Sequence, residues 1–193
     1  FEESFEVKER FLKENLSNLL EGVQLIARAF QSGNKLFFFG NGGSAADAQH
    51  LAAEFVNRYI LQRSPLPAIA LTTDTSILTS ISNDLSFDEI FSKQLRALGR
   101  RGDVAIGIST SGNSSNVIRA FEVAKEMGMK TVALTGNDGG RLSKISDLSL
   151  IVPSSSTPRI QEAHILIGHL LCEMVEQILF SKRPLRLKGR RSR

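Results

Sequence analysis

The sequence predicts an α/β fold: a three-layer αβα sandwich with a parallel five-stranded sheet. Two patterns predict it, namely five short runs that are apolar throughout and longer segments between them with apolar residues at helical spacing. This alternation favours parallel strands joined by right-handed crossovers, with helices on both faces of the sheet. A chain of 193 residues, 41% of them hydrophobic, is enough for one such domain without disulfides or metal to help it fold.

The predicted elements follow one another without a linker or an internal repeat. Apolar side chains at helical spacing in residues 1–32 predict one or two N-terminal amphipathic helices. Apolar runs bounded by glycine, proline or small polar residues predict strands at 35–39, 68–72, 104–109, 131–135 and 148–152. Helices are predicted at 44–59, 74–82, 87–98, 114–128 and 138–146, with a long C-terminal helix at about 158–181. Residues 1–181 are therefore predicted to form one domain.

The basic residues are concentrated at the C-terminus. Seven of the 24 lysines and arginines lie in residues 182–193, so residues 1–181 carry 17 basic residues against 20 acidic ones. A body of this charge is not a surface for nucleic acid, and 182–193 is predicted to be a solvated or disordered tail.

Cysteine usage and hydropathy predict the compartment. Cys172 is the single cysteine and lies in an apolar helical stretch, which predicts a buried thiol in a reducing compartment. We find no apolar run of the ~18 residues that a membrane span needs. Nothing near residue 1 resembles a signal peptide, so we expect a soluble, cytoplasmic protein without a membrane partner.

The loop after the first strand is a candidate anion site. Residues 40–44 read Gly-Asn-Gly-Gly-Ser and connect a strand to a helix, where backbone N–H groups and the helix N-terminus favour an anion. Gly40, Gly42 and Ala45 also match a loose dinucleotide pattern, whose acid is expected about 20 residues further on. The nearest such acid, Asp74, lies more than 30 residues beyond the loop.

The loop after the third strand favours phosphate instead. It gathers four hydroxyls before a helix, from Ser109, Thr110, Ser111 and Ser114. Hydroxyls and backbone amides together can donate to several phosphate oxygens. The alternative is an ordinary helix N-cap with spare serines, but a cap uses one hydroxyl.

Two helices carry candidate acid–base groups. His50 and Glu54 are four residues apart and share a helix face, and Gln161 and His169 lie within about 80° of each other on the last helix. Isomerising an aldose and a ketose moves a proton between two carbons, which needs two groups of suitable pKa. The alternative is a surface His–Glu pair and a structural histidine, as we assign His164. The same four side chains are also a candidate zinc site.

These segments together resemble the phosphoheptose isomerase branch of the sugar isomerase (SIS) domain family. The resemblance covers nearly all of the chain to about residue 180. It is carried by residues 40–44 with Asp47, His50 and Glu54, by Asn83-Asp84, by residues 107–114, and by residues 159–162 with His169. It implies a flavodoxin-like sandwich and a homotetramer with active sites between subunits.

The resemblance also implies an activity and roles for residues. It implies conversion of sedoheptulose 7-phosphate to D-glycero-D-manno-heptose 7-phosphate through an enediol, the first step toward the heptose of bacterial lipopolysaccharide. Glu54 would be the base and His169 its partner, and one zinc per subunit would be held by His50, Glu54, Gln161 and His169. The phosphate would be held by Ser109, Thr110, Ser111 and Ser114, and the sugar by Asn41, Gly42, Gly43, Ser44, Asn83, Asp84 and Gln161.

Two other functions stay open. A relative of the same domain is the DnaA initiator-associating protein, a tetrameric binding protein that lacks the glutamate and the last-helix histidine, both of which are present here as Glu54 and His169. A SIS enzyme for another phosphosugar is the second alternative. The chain departs from the family at Pro158, so no carboxylate role is carried over to that position.

Overall fold

The computed structural model describes residues 1–181, so the predicted tail at 182–193 lies outside the described residues. Five parallel strands form one sheet in the order β2-β1-β3-β4-β5. The strands are β1 Leu36–Gly40, β2 Ala68–Ala70, β3 Val104–Ser109, β4 Lys130–Gly136 and β5 Leu148–Val152. This order is the flavodoxin-like one, which confirms the predicted fold class.

Seven α-helices surround the sheet in the described part of the chain. They are α1 Glu2–Gln31, α2 Gly43–Val56, α3 Thr75–Asp84, α4 Ser92–Leu98, α5 Ser115–Glu126, α6 Gly140–Ile145 and α7 Thr157–Phe180. The predicted N-terminal helical region is thus a single helix of 30 residues.

Successive side chains of the strands enter two separate cores, as the two-residue period of a strand requires. In β1, Phe38 packs in the core beneath α1, α2 and α7, whereas Phe37 and Phe39 pack in the core beneath α4, α5 and α6. Both faces of the sheet are therefore covered, and the molecule is the predicted three-layer sandwich.

Two predicted helices end or break earlier than the sequence indicated. The predicted helix at 87–98 is a 3₁₀ turn, Phe87–Glu89, followed by α4, and the Ser92 hydroxyl donates to the Glu89 backbone carbonyl at 3.1 Å. The predicted helix at 44–59 ends at Val56. The Arg63 guanidinium caps this end of the helix. It donates to the carbonyls of Glu54 and Phe55 at 2.9 and 2.8 Å.

The hydropathy of the last helix reflects its place in the core. By length and composition, Thr157–Phe180 is apolar enough to cross a membrane, although its sequence contains polar residues. Its residues Ile160, Ile167, Leu171 and Val175 are buried against the sheet and against α1. A core helix of a globular domain has the same composition, so the structure accounts for this hydropathy without a membrane.

The strand order places two loops side by side. β1 lies between β2 and β3. The chain passes from β1 to β2 on one side and then returns to β3 on the other, so the strand order reverses at the β1–β3 boundary. The register pairs Gly40 with Ile108 at the carboxyl ends of these strands. The two loops that the sequence singled out, after β1 and after β3, therefore begin next to each other, where ligands bind in such sheets.

Candidate active site

The loop after β1 turns sharply into α2. Gly42 has φ +56°, a left-handed conformation that favours glycine, and α2 begins after it without a side-chain cap. A Cβ atom on Gly43 would lie 2.6 Å from Gln161 Nε2, so the side chain of Gln161 lies against this loop. Ser44 is buried in the first turn of α2. In this turn the N–H groups of Ser44 and Ala45 donate to the Asn41 and Gly42 carbonyls at 3.0 Å, and the positive end of α2 still favours an anion.

The loop after β3 places its hydroxyls at the start of α5. The Oγ atoms of Ser109 and Ser114 are 2.9 Å apart, and the Ser111 Oγ accepts the backbone N–H of Asn113 at 3.1 Å. Ser114 occupies the N-cap position but makes no side-chain capping bond. The ordinary N-cap alternative therefore does not explain the hydroxyls, and the N-terminus of α5 keeps its preference for an anion.

A pair of amides joins the two loops, and sequence reasoning missed one of them. Asn41 Nδ2 donates to Asn116 Oδ1 at 2.9 Å, and Asn116 Nδ2 donates to Asn41 Oδ1 at 2.8 Å. Asn116 lies in the first turn of α5 and is buried. The sequence marks Asn116 only as a polar residue after a run of serines, which resembles a helix start more than a contact.

The two helices that carry acid–base candidates converge. His50 Nε2 lies 3.1 Å from Glu54 Oε1 and 3.4 Å from His169 Nε2, and the two imidazole rings meet edge to face. Burial lowers the pKa of His169 below its ordinary value, His50 lowers it further, and Glu54 opposes both. The His169 imidazole is therefore neutral at pH 7, able both to donate and to accept a proton.

Tyr59 also packs against His169. Its ring centroid lies 5.2 Å from that of His169, so this imidazole contacts the rings of both Tyr59 and His50. Tyr59 belongs to the loop after α2, which lacks a helix or strand to hold it. The ring is thus a candidate for fixing the orientation of the imidazole.

Glu176 holds the Tyr59 loop in place. Its carboxylate accepts the backbone N–H groups of Tyr59, Ile60 and Leu61 at 2.7–2.9 Å and the Arg63 Nε at 2.8 Å. Burial would raise the pKa of Glu176, but these donors hold it below its ordinary value. In the sequence, the only sign of this contact is that Glu176 interrupts the apolar pattern of the last helix.

The remaining predicted residues lie in different places. Asn83 and Asp84, at the end of α3, are exposed and bond each other at 2.9 Å. Asp74, the acid weighed for a dinucleotide site, instead caps α3 by accepting the Ile77 N–H at 3.0 Å. A cavity of about 290 Å³ lies between the loop after β1 and α3, with Gly42 in its lining.

His164 lies in the core. It is fully buried, and its Nε2 lies 3.1 Å from the Thr135 carbonyl of β4. Burial lowers the pKa of His164 to about 4, so its imidazole is neutral at pH 7. Cys172 is also buried, and burial raises the pKa of its thiol far above the ordinary value.

The predicted zinc ligands fit a metal only in part. The distances of 3.1 and 3.4 Å from His50 Nε2 to Glu54 and His169 are close to the ~3.3 Å between ligands of a tetrahedral zinc ion. Gln161 precedes His169 by eight residues, or about 12 Å of helix, and lies against Gly43 instead. Within residues 1–181, no three histidine, cysteine or acidic side chains are arranged to hold a metal.

Comparison with known proteins identifies the family. The SIS domain model matches residues 1–136. A phosphoheptose isomerase from Thermodesulfovibrio yellowstonii is 56% identical over 180 residues, which cover 93% of this chain and 90% of that protein. The chain belongs to the phosphoheptose isomerase family of SIS domain proteins. The resemblance predicted from residues 40–54, 107–114 and 159–169 is thus confirmed.

Two solved structures of the phosphoheptose isomerase family agree with the fold. The phosphoheptose isomerase from Neisseria gonorrhoeae is 47% identical, with a TM-score of 0.87 over 92% of this chain and 95% of that one. The one from Francisella tularensis is 38% identical, with a TM-score of 0.89 over 92% and 94%. The family model ends before α7, so His169 and Gln161 lie outside the residues that it matches.

Proposed function

We propose that the chain is an aldose–ketose isomerase that converts sedoheptulose 7-phosphate to D-glycero-D-manno-heptose 7-phosphate. The observation that carries the proposal is the convergence of Glu54 from α2 and His169 from α7 at His50, over 3.1 and 3.4 Å. Relatives over 50% identical that bear the name phosphoheptose isomerase support the substrate. The reaction would supply the heptose of lipopolysaccharide and take place in the cytoplasm, where the free thiol of Cys172 would stay reduced.

The phosphate is held at the start of α5. The hydroxyls there and the uncapped backbone N–H groups donate to its oxygens, and the positive end of the helix favours its charge. The residues are Ser109, Thr110, Ser111 and Ser114. A phosphate fixed at this point leaves the sugar chain to extend over the loop after β1, along Asn41, Gly42, Gly43, Ser44 and Gln161.

The proton transfer is carried by Glu54 and His169. The Glu54 carboxylate removes a proton from C1 of the ketose, which gives an enediol, and returns it to C2 of the aldose. His169 meanwhile takes the proton of the O1 hydroxyl and supplies one to O2, as its neutral imidazole allows. Atoms balance, because the substrate and product differ only in the positions of these two protons.

A tetramer with sites between subunits is part of the proposal. A groove on α1 and α7 is lined by the apolar residues Phe5, Leu12, Leu166 and Leu170, of which the first three are exposed. A second copy of the chain packed there would cover apolar surface of a kind that monomers rarely expose. Asn83 and Asp84 are exposed at the end of α3 and would help to complete a site in such an assembly.

The test is a direct assay of the aldose product. We expect Glu54→Gln to lower kcat by about 10²–10⁴-fold while the fold and assembly are kept, because general acid–base catalysis contributes this much. Glu126→Gln, which alters an exposed pair with Arg96, is the matched control. Full turnover by Glu54→Gln would refute the proposal. Turnover of other phosphosugars alone, or capture of DnaA without turnover, would favour the alternatives.

Zinc is proposed separately, at one ion per subunit. His50, Glu54 and His169 would supply donors, and Gln161 would have to come from another subunit because of its place against Gly43. Zinc would polarise the substrate carbonyl. Elemental analysis should find zinc in protein purified without added metal, and zinc should raise the Tm of stripped protein but not of His50→Ala. A stripped protein with unchanged Tm on adding zinc would refute this.

A further inference from the structure

Asn41 and Asn116 lie 75 residues apart, yet they bind each other twice. Their amides form reciprocal hydrogen bonds of 2.9 and 2.8 Å, in which each donates one N–H and accepts at its oxygen. Asn116 is 2% exposed. A buried amide that is paired in this way has one orientation in which both bonds form, so the pair fixes the positions of both side chains.

The pair lies between the two halves of the site. Asn41 is in the loop proposed to line the sugar, and Asn116 is in the helix turn proposed to hold the phosphate. The β1–β3 ladder, which keeps the strands in register, ends at Gly40 and Ile108. In the described part of the chain, no other side-chain hydrogen bond joins these loops beyond that point.

The pairing also changes the role expected for Asn41. One of its two amide hydrogens and a lone pair of its oxygen are bound to Asn116, which leaves one N–H and one lone pair for a sugar. We therefore expect Asn41 to act first as half of a brace, with the backbone and the glycines of this loop supplying the other contacts to the sugar.

We propose that Asn116 is a positioning residue that sets which length of sugar phosphate reacts. The proposal rests on the proposed function. With the phosphate anchored at α5 and the reacting carbons at Glu54 and His169, the distance between the anchor and the catalytic groups corresponds to a fixed number of carbons. The Asn41–Asn116 brace holds that distance, because α2 begins in the braced loop and carries Glu54.

The experiment measures kcat/KM for ketose phosphates of seven, six and five carbons, together with inhibition by inorganic phosphate. For Asn116→Ala we expect a loss of about 10–100-fold with the seven-carbon substrate, comparable to a misfit of one methylene in a binding site. Discrimination against the shorter substrates should weaken, and the inhibition constant for phosphate should stay within about threefold. The matched control is Asn15→Ala. It removes a buried asparagine of α1 whose side chain donates to the Ile151 carbonyl.

The double variant separates a brace from a direct sugar contact. If the two amides act as one unit, Asn41→Ala, Asn116→Ala and the double variant should lose similar amounts. Larger losses for Asn41→Ala that multiply in the double variant would show that Asn41 binds the sugar directly and would overturn the inference. Weakened inhibition by phosphate would do the same, since Asn116 would then only shape the phosphate loop.

Two further outcomes keep the inference open to refutation. If Asn116→Ala does not fold, Asn41→Ala breaks the same bridge from the less buried side and must by itself show the weakened discrimination. A wild-type chain that turns over none of the ketose phosphates would refute the proposed function and this inference with it. If the wild-type chain is active and Asn116→Ala has the same kcat/KM and the same discrimination between substrates, this inference alone is refuted.

Discussion

Gly168 lets α2 and α7 approach closely beside the catalytic groups, and Gly168→Ala should separate them. A Cβ atom at this position would lie 2.4 and 2.6 Å from the two methyl carbons of Leu51 and 3.0 Å from its Cγ. Leu51 is 1% exposed in the core and directly follows His50 in the chain, while Gly168 directly precedes His169. The added methyl therefore acts between the two residues next to the paired imidazoles.

Two opposing effects set the change in the free energy of unfolding of Gly168→Ala. Ordinary carbon contacts begin near 3.5 Å, so the helices must part by about 1 Å or Leu51 must leave its rotamer. Overpacking of this kind costs about 1–3 kcal/mol, while alanine in place of a helical glycine returns about 0.5–1 kcal/mol. We expect the free energy of unfolding to fall by about 1 kcal/mol. A displacement of about 1 Å at His169 should lower kcat about 100-fold.

Urea denaturation and the isomerase assay test both expectations. Gly22→Ala is the control, because a Cβ there would lie 3.2 Å from Leu148 Cδ2 and 3.6 Å from Leu171 Cδ2, which small shifts accommodate. That variant should keep full turnover and lose no stability. If Gly168→Ala matches wild type in both measurements, the spacing of α2 and α7 does not position His169, and the reasoning is wrong.

Two further predictions concern histidines. His164, with a folded pKa of about 4 against 6.5 when unfolded, stays neutral in the folded chain while the unfolded chain gains a proton. Its contribution to the free energy of unfolding is present above pH 6.5 and falls by up to ~3 kcal/mol as the pH drops to 4. Urea denaturation of His164→Gln at several pH values should lack this dependence on pH. Tyr59→Phe should keep kcat within about twofold because the ring remains on His169, whereas Tyr59→Leu should lower kcat about tenfold. Equal losses would assign the effect to the phenol hydroxyl.

Local patterns carried the fold prediction because each element is marked by neighbours in sequence. The apolar run Leu36–Phe39 is buried on both faces, and it reads as a central parallel strand for that reason. The four hydroxyls after β3 and the four-residue spacing of His50 and Glu54 are equally local. The helix predicted at 87–98 is instead a 3₁₀ turn followed by α4, and the local apolar pattern does not mark where these two elements divide.

Contacts between distant segments could not be predicted from the sequence. Asn41 with Asn116, and the backbone of Tyr59 with Glu176, are separated by 75 and 117 residues, and no periodicity connects them. The place of Gln161 also depends on tertiary contacts. Helical spacing gives its angular position relative to His169 and a rise of about 12 Å over eight residues, whereas its place against Gly43 is seen only in the structure.

The arrangement makes α2 the element on which both halves of the site depend. Its first turn follows the loop braced by Asn41 and Asn116, its middle carries His50 and Glu54, and its end is capped by Arg63. Arg63 in turn binds Glu176 on α7, two helical turns beyond His169. A shift of α2 at either end would therefore move the base relative to both the phosphate site and the imidazole, and this is why residues that touch no substrate should alter turnover.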